Sequence, residues 1–428
     1  MHIELINTGS ELMLGRVLNT HQQWLCRQLA DAGYVVERQV AVPDTGPAIE
    51  QSVREALGRA DLIIATGGLG PTSDDITRDL IAQLLGCRLH TDPAVLSQIA
   101  RFFTSRQRPQ PESTKVQAQV PAGARVLMNR HGTAPGLVME VPAGKFRQAT
   151  RPTLLVMLPG PPRELRPMFT EQVMPVIREC LPLIEPFACR TVRTAGIGES
   201  RVEEMVAPPL ASLVQAGLEI GYCARPGEVD VRLVAHGARA GQLVNEGIAI
   251  IQPLLGQHVY GEEDAGLEQV IVQLFAERKQ TLVIAESCTG GLISHRLTNV
   301  PGASEILWGG LTTYANAAKQ KILGVTPAAL AQYGAVSEAV ARAMAEGARR
   351  LSGASYAVAV TGIAGPGGGT PEKPVGTVFM AVAGPQGTVV KAQLNRFDRE
   401  TFKYVTSQQV LEMLRRQVIA EDELRKAE

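Results

Sequence analysis

The sequence predicts an α/β protein with three domains: a doubly wound N-terminal α/β domain, a small α+β connecting domain and a C-terminal α/β domain with a mixed sheet. Apolar runs rich in β-branched residues alternate with amphipathic helical repeats, which is the pattern of parallel sheets. Between about residues 190 and 260 this pattern gives way to half-buried strands. The length of 428 residues also exceeds one domain, since domains average roughly 150 residues.

Charge and composition argue against several classes of protein, although a local basic patch could still exist. Lys plus Arg and Asp plus Glu both number 42, so no global field favours nucleic acid or an anionic membrane. The six cysteines are dispersed without a C-x-x-C pair, which fits a reducing compartment. No apolar run approaches the roughly 18 residues of a membrane span. We therefore expect a cytoplasmic protein without a membrane or nucleic-acid partner.

The N-terminal domain is predicted to span residues 1–170. Residues 3–8 read as a strand, followed by a helix that stops at Gly33, a second strand from Tyr34 to Val42, and a helix capped by Asp44. A third strand, from Asp61 to Ala65, leads into a glycine-rich loop. Ligands of doubly wound folds bind beyond the carboxyl ends of the strands, which is where this loop lies.

The chemistry of the loop Thr66–Asp75 suits a nucleotide or pyrophosphate. Its glycines let backbone N–H groups approach a phosphate, its hydroxyls add donors, and its two aspartates could hold a divalent cation. The alternative is plain architecture, since glycine-rich βα turns are common, and the loop matches neither a P-loop nor a dinucleotide fingerprint. The candidate nucleotide site comprises Gly67, Gly68, Gly70, Thr72, Ser73, Asp75 and Gly160.

Two further turns could line the same cleft. They are Gly132–Gly136 and Leu158–Pro162, both at predicted strand ends, although turn chemistry alone also explains their prolines and glycines. The polar segment between Thr104 and Pro121 is predicted to run over the surface.

The connecting domain is predicted to span residues 171–260. A strand at Thr191–Thr194, a helix from Glu199 to Leu213 and an alternating strand at Glu228–Val234 give it an α+β character. No catalytic cluster is readable there, so a spacer or interaction module is the favoured interpretation.

The C-terminal domain is predicted to span residues 261–428, and its chemistry centres on a hydroxyl-rich turn. An apolar strand stops at Glu286, and Ser287 to Gly291 precede a helix. A hydroxyl beside free backbone N–H groups could serve as a nucleophile next to an anion site. The alternative is that Ser287 or Thr289 is only a helix N-cap.

Lys319 is the candidate general base. At about 100° per residue it falls between Ile322 and Leu323 on the apolar face of its helix, whereas Lys321 points the opposite way. Burial would lower the pKa of such a lysine, so that a neutral amine could take a proton from Ser287. Tyr314 would be a hydrogen-bonding neighbour. The alternative is a surface lysine whose stem covers apolar groups.

Two more features could hold polar groups of a ligand. Thr361 ends a buried strand and is followed by a glycine-rich loop that begins at Gly362, whose N–H groups could bind an anion or form a flexible connector. Arg399 could bind a phosphate bidentately or pair with a carboxylate.

The C-terminal motifs together resemble the CinA family. They are Glu286–Gly291, Tyr314–Lys319, Ala335–Glu338 and Val360–Gly367. The resemblance implies an amidohydrolase that converts nicotinamide mononucleotide to nicotinate mononucleotide and ammonia, in pyridine nucleotide recycling, without a cofactor. The predicted catalytic residues are Ser287, Lys319 and Tyr314, and the predicted substrate-binding residues are Thr289, Gly290, Thr361, Gly362 and Arg399.

The remaining motifs resemble the other domains of that family. Gly9–Leu12 and the three glycine-containing turns of the N-terminal domain are similar to its molybdopterin-binding-like domain, which is associated with metal-dependent ADP-ribose pyrophosphatase activity. The resemblance implies a divalent metal, for which Glu11, Asp74 and Asp75 are the candidate ligands. Gly196–Ser200 resembles its KH-type connecting domain, and a homodimer is expected.

The leading hypothesis is therefore an amidase acting on small-molecule nucleotides, with a second, pyrophosphatase site. One alternative is a nucleotide- or molybdopterin-binding scaffold whose C-terminal domain is inactive. The other is pyrophosphatase chemistry alone.

Overall fold

The computed structural model describes residues 1–427, with side chains described through residue 421. A first compact unit runs from Met1 to Phe187, and a second begins at Ala188. The domain boundaries expected at residues 170 and 260 stay predictions. Within the described residues, no helix combines the length and apolar character needed to cross a membrane.

The first unit is built from eight strands and seven helices. Its strands are β1 (Ile3–Thr8), β2 (Arg38–Val42), β3 (Leu62–Thr66), β4 (Leu89–Thr91), β5 (Gln119–Pro121), β6 (Arg125–Leu127), β7 (Gly136–Val141) and β8 (Thr153–Leu158). Its helices are α1 (Ser10–Met13), α2 (Thr20–Asp31), α3 (Gly46–Leu57), α4 (Thr77–Leu85), α5 (Pro93–Thr104), α6 (Pro162–Met168) and α7 (Met174–Cys180). A short π-helix, Phe169–Val173, joins α6 to α7, and a 3₁₀ helix spans Glu112–Ala118.

Six of these strands form one sheet in the order β2-β1-β3-β8-β7-β6. The pairs from β2 to β8 are parallel, and β7 and β6 are antiparallel additions. Side chains alternate between the two faces of a strand, so Val156 packs with α2 and Phe169, whereas Met157 packs with α3 and α4. Both faces are therefore covered, which confirms the predicted doubly wound fold.

Two local predictions in this unit need correction. The second strand begins at Arg38 rather than Tyr34, whose hydroxyl donates to Leu181 O at 3.1 Å. The segment before Pro121 does not simply run over the surface, because Thr114 and Gln117 in its 3₁₀ helix are buried.

The second unit begins with a small α+β layer. Its elements are β9 (Phe187–Ala195), α8 (Glu199–Gln215), β10 (Leu218–Arg225), β11 (Glu228–His236), α9 (Ala240–Leu255) and β12 (Val259–Glu262). The strands form a sheet in the order β10-β11-β9-β12, and the two helices share its apolar core. The predicted α+β connecting fold is confirmed.

The remaining elements form the C-terminal α/β layer. The strands are β13 (Leu282–Glu286), β14 (Leu307–Thr312), β15 (Tyr356–Gly362), β16 (Thr377–Gly384) and β17 (Gly387–Leu394). The helices are α10 (Leu267–Glu277), α11 (Leu292–Thr298), α12 (Asn316–Leu323), α13 (Pro327–Tyr333), α14 (Glu338–Ser352) and α15 (Arg399–Ala427).

The five strands form a mixed sheet in the order β14-β13-β15-β16-β17, as predicted. β13 is parallel to β14 and β15. β16 is antiparallel to β15, and β17 is antiparallel to β16. Helices α10, α11 and α15 cover one face, and α12 and α14 cover the other. Because the three parallel strands end at the same edge, the residues after Glu286, Thr312 and Gly362 converge there.

Candidate active site

The turn after β13 is held in place by the neighbouring strand. The N–H of Ser287 donates to Val360 O on β15 at 3.1 Å, and the N–H of Thr313 donates to Glu286 O at 2.8 Å. The parallel pairing of β13 with β14 and β15 thus continues past the end of β13. Ser287 as a whole is 8% exposed, so the residue is nearly enclosed by protein.

Lys319 meets Ser287 from helix α12. Its side chain is only 1% exposed, and its Nζ lies 3.0 Å from Ser287 Oγ. The same nitrogen donates to Thr313 O at 2.9 Å and to Tyr314 O at 3.0 Å. Within the described residues no carboxylate pairs with it. Every position around the nitrogen is therefore filled by an uncharged oxygen.

This geometry suits a neutral amine. An uncharged amine has two N–H groups and one lone pair, which match the two carbonyl oxygens and the hydroxyl of Ser287. Burial lowers the pKa of Lys319 below its ordinary value of 10.5, against a smaller opposing effect of Cys288. The arrangement can therefore remove a proton from the serine hydroxyl and hold it as an ammonium ion.

Close helix packing directs Lys319 inward. Lys319 and Leu323 are buried on one face of α12, and Lys321 is exposed, as the helical phase predicts. Ile322 differs from that prediction because it is 41% exposed. A Cβ at Gly347 would overlap Leu323 O, so a glycine in α14 is needed for this approach of the two helices.

Glu286 is a site residue that sequence reasoning missed. Its carboxylate is fully buried and accepts hydrogen bonds from the N–H groups of Gly291, Ile293 and Ser294 at 2.9, 3.1 and 2.9 Å. The Ser294 hydroxyl donates to it at 2.7 Å. Glu286 therefore caps α11 across the turn that carries Ser287, a task usually performed by the residue before a helix.

Neither hydroxyl of the turn caps the helix. The Thr289 hydroxyl is fully buried, and among the described residues it has no hydrogen-bonding partner. The turn is completed by Gly290 and Gly291, whose φ angles of 64° and 99° favour glycine. Burial raises the pKa of the Cys288 thiol to about 12, so this neighbour of Ser287 stays protonated and is not a rival nucleophile.

Tyr314 and Arg399 form a pair at the outer side of the turn. The Arg399 guanidinium donates to the Tyr314 hydroxyl at 2.7 Å and to Gly365 O at 2.8 Å. Tyr314 therefore contacts Lys319 through its carbonyl oxygen, while its phenol meets Arg399 instead of Ser287. Arg399 ties together segments that lie far apart in the sequence.

The Thr361 side chain has a structural partner. Its hydroxyl donates to Ala335 O at 2.8 Å, which ties the end of β15 to the segment before α14. Gly362 ends the same strand, and a Cβ there would lie 2.8 Å from Thr377 O on β16. Both residues stand at the sheet edge that carries Ser287, and contacts with a substrate stay a prediction.

The glycine loop of the first unit lines a second cavity. Its volume is about 380 Å³, and the predicted residues Gly67, Gly68, Gly70 and Gly160 are all part of its wall. Gly67 and Gly68 have φ angles of 96° and 66°, and side chains there would strike Thr8 and Thr77. These glycines are therefore required by the local backbone path as well as by any ligand.

The Thr72 hydroxyl serves the loop itself. The N–H of Thr72 donates to the Asp75 carboxylate at 2.9 Å, and the Thr72 hydroxyl donates to the same oxygen. Thr72 and Ser73 are not among the residues that line the cavity. Their predicted contact with a nucleotide stays a prediction that the geometry does not favour.

The three candidate metal ligands, Glu11, Asp74 and Asp75, all line the cavity. Among the side chains described, those of residues 1–421, however, no three His, Cys, Asp or Glu residues are arranged to hold one metal ion. Mg²⁺ is commonly bound by one or two carboxylates together with substrate phosphates. The residues therefore fit a cation shared with a phosphorylated ligand, and they do not form a complete cage.

Two buried polar residues of this wall were missed from sequence. Gln117 is 2% exposed, and its Oε1 has no partner among the described residues. Glu164 accepts from Asn129 Nδ2 at 2.8 Å, and burial raises the pKa of its carboxyl. The signal for Glu164 was its position just after the turn Leu158–Pro162. The polar segment before Pro121 gave no comparable signal for Gln117.

Comparison with known families divides the chain into three matched parts. Residues 264–418 match the family described as "CinA C-terminal domain", and residues 4–179 match "Probable molybdopterin binding domain". Residues 189–261 match "Damage-inducible protein CinA KH domain".

Individual relatives extend over nearly the whole chain. The chain is 47% identical over 412 residues to a CinA-like protein of Akkermansia muciniphila, covering 96% of each chain. It is 39% identical over 419 residues to a CinA-like protein of Anaeromyxobacter dehalogenans, covering 97% of this chain and 99% of that one. A solved structure of competence/damage inducible protein CihA from Agrobacterium tumefaciens is 43% identical, covers 35% of this chain and 91% of that chain, and gives a TM-score of 0.34.

Because the buried Glu286 carboxylate caps α11, we expect Glu286→Gln to lower the stability of the protein substantially. The amide would present N–H groups to backbone N–H groups and leave buried donors unpaired. We expect the free energy of unfolding to fall by about 2–4 kcal/mol, measured by urea unfolding of the full chain. Glu305→Gln, at an exposed position between α11 and β14, is the matched control and should change stability little. Equal stability of the two variants would show that the cap is unimportant.

Proposed function

The chain belongs to the CinA family, and from this premise we propose that its C-terminal domain hydrolyses the carboxamide of nicotinamide mononucleotide, giving nicotinate mononucleotide and ammonia. The observation that carries the proposal is the contact of 3.0 Å between the buried Lys319 Nζ and Ser287 Oγ. Serine–lysine pairs are a known variant of nucleophilic acyl-transfer chemistry. The sequence resemblance supplies the substrate, and the geometry supports the type of reaction.

The first half of the reaction forms an ester. The neutral Lys319 amine takes the proton of the Ser287 hydroxyl while Oγ attacks the carboxamide carbon. Thr313 O and Tyr314 O then hold the resulting ammonium group. Collapse of the tetrahedral intermediate breaks the C–N bond, and Lys319 returns its proton to the departing nitrogen, which leaves as ammonia.

The second half of the reaction regenerates the serine. Lys319, neutral again, removes a proton from water as the water attacks the ester carbon. Ser287 Oγ leaves and takes the proton back from Lys319. The products are the free enzyme and the carboxylate of nicotinate mononucleotide, so one water is consumed for each ammonia released.

The N–H groups of the turn that already donate hydrogen bonds are separated from those that do not, and the latter are the candidate oxyanion donors. The N–H groups of Ser287, Gly290 and Gly291 donate to Val360 O, Ser287 O and the Glu286 carboxylate. Within the described residues, the N–H groups of Cys288 and Thr289 donate to no backbone carbonyl. We assign these two N–H groups to the developing oxyanion.

The free-energy cost of burying Lys319 argues against the alternative of an inactive C-terminal domain. A buried lysine without a carboxylate partner costs free energy, because its ionised form loses hydration. Such a cost is typical of functional sites. A scaffold role would gain nothing from Lys319 beside Ser287. The absence of a cofactor for the amidase and the homodimer stay predictions.

We further propose that the N-terminal domain is a metal-dependent ADP-ribose pyrophosphatase. The supporting observation is that glycines and the carboxylates of Glu11, Asp74 and Asp75 line one cavity of about 380 Å³. A bound divalent cation would neutralise charge on the pyrophosphate. The protein itself would orient the pyrophosphate along the Gly67–Gly70 backbone, and one or two of the carboxylates would hold the cation.

The amidase proposal predicts the effects of two substitutions. Lys319→Met should lower kcat for ammonia release from nicotinamide mononucleotide by about 10²–10⁴-fold, because the proton acceptor is lost. Ser287→Ala should lower it at least as much, because no ester forms. Lys321→Met, on the exposed face of the same helix, is the control and should keep full activity. Full ammonia release by Ser287→Ala or Lys319→Met would refute the assignment.

The pyrophosphatase proposal predicts ADP-ribose cleavage that stops when a chelator removes divalent metal. Asp74→Asn and Asp75→Asn should each reduce the rate by about 10-fold or more, since metal binding weakens. Glu112→Gln, an exposed carboxylate outside the cavity wall, serves as control. Cleavage that persists without metal would count against this second proposal.

A further inference from the structure

We propose that Lys403 is the specificity residue by which the amidase site recognises the phosphate of a mononucleotide. The inference rests on the proposed amidase function and deepens it. Lys403 lies in the first turns of α15, one helical turn beyond Arg399 and on the same side of the helix. No motif in the sequence singles it out.

The Lys403 ammonium lies over the turn that carries the nucleophile. Its Nζ is 3.8 Å from the position that a Cβ would occupy at Gly290. Gly290 donates its N–H to Ser287 O at 3.1 Å, so it belongs to the same tight turn as the nucleophile. A ligand whose reactive carbon meets Ser287 Oγ therefore extends past a positive charge.

This charge is uncommitted, in contrast to that of Arg399. Within the described part of the chain, Lys403 Nζ has no hydrogen bond or ion pair, and its side chain is half-buried. Arg399 already donates to Gly365 O and the Tyr314 hydroxyl. The nearby Asp398 carboxylate accepts from the N–H groups of Glu400 and Thr401 at 3.0 Å and caps the helix.

A half-buried lysine with no carboxylate partner among the described residues favours an anionic ligand. The carboxamide that reacts at Ser287 is neutral and does not balance the charge of Lys403. A phosphate monoester carries the required charge, and lysine binds phosphate as a point charge. Arg399 then fixes Tyr314 and the Gly365 loop, whereas Lys403 contacts the phosphate. Nicotinamide riboside, which lacks the phosphate, makes no use of Lys403.

The test measures kcat/KM for nicotinamide mononucleotide and for nicotinamide riboside. The full-length variants are Lys403→Met, Lys403→Arg and Lys391→Met. Lys391 is an exposed lysine of β17 and serves as the control. Lys403→Met should lower kcat/KM for nicotinamide mononucleotide by about 10–100-fold, chiefly through KM, as expected for a lost charged hydrogen bond. Its kcat/KM for nicotinamide riboside should not change. Lys403→Arg should retain most of the preference for nicotinamide mononucleotide over nicotinamide riboside, and Lys391→Met should retain all of it.

Two outcomes overturn the inference. One is an equal loss of kcat/KM on both substrates in Lys403→Met, which would assign Lys403 to the chemistry or to the fold. The other is a preference for nicotinamide mononucleotide over nicotinamide riboside that Lys403→Met leaves unchanged. If the wild type releases no ammonia from either substrate, the amidase proposal fails separately. Calorimetry then measures the binding of nicotinamide mononucleotide to Ser287→Ala and to the double variant Ser287→Ala/Lys403→Met. Weaker binding by the double variant supports phosphate recognition by Lys403, and equal binding refutes it.

Discussion

The contact between Lys319 Nζ and Ser287 Oγ is the interaction on which the C-terminal site depends. It exists because an amine is held out of water among three oxygens, none of them from a carboxylate. Without an opposite charge, burial favours the neutral form of the lysine. The enclosure that makes the ionised form of Lys319 costly also raises the fraction of the lysine that is a neutral amine, the form that can accept the serine proton.

The surrounding fold keeps the two groups in register from opposite sides. Strand β15 fixes Ser287 through Val360 O, and the Glu286 carboxylate fixes the next helix, α11. Helix α12 brings Lys319 from the other side and is seated against α14 by Gly347. The small residues of the apolar face next to α14, many of them alanines, permit this close packing.

Local periodicity in the sequence predicts the fold class and the direction of single side chains. The alternation of strands and helices predicted the fold class, and the helical phase predicted that Lys319 points inward. The partners of a side chain depend on the path of the chain, which periodicity does not encode. Glu286 caps a helix across an intervening turn, and Arg399 meets Tyr314 from a helix 85 positions later. Thr72 illustrates the same limit, because its hydroxyl closes its own loop on Asp75 instead of facing the cavity.

The most direct test of the central claim is the titration of Lys319 in the full-length protein by ¹⁵Nζ NMR, with its signal assigned by its absence in Lys319→Met. Burial lowers the pKa of Lys319, so the signal should change from ammonium to amine below pH 10.5, the ordinary value for lysine. Ammonia release should rise with pH through the same midpoint, because only the neutral amine accepts the serine proton. A Lys319 that titrates at or above the ordinary value, or an activity profile flat across that midpoint, would contradict the claim.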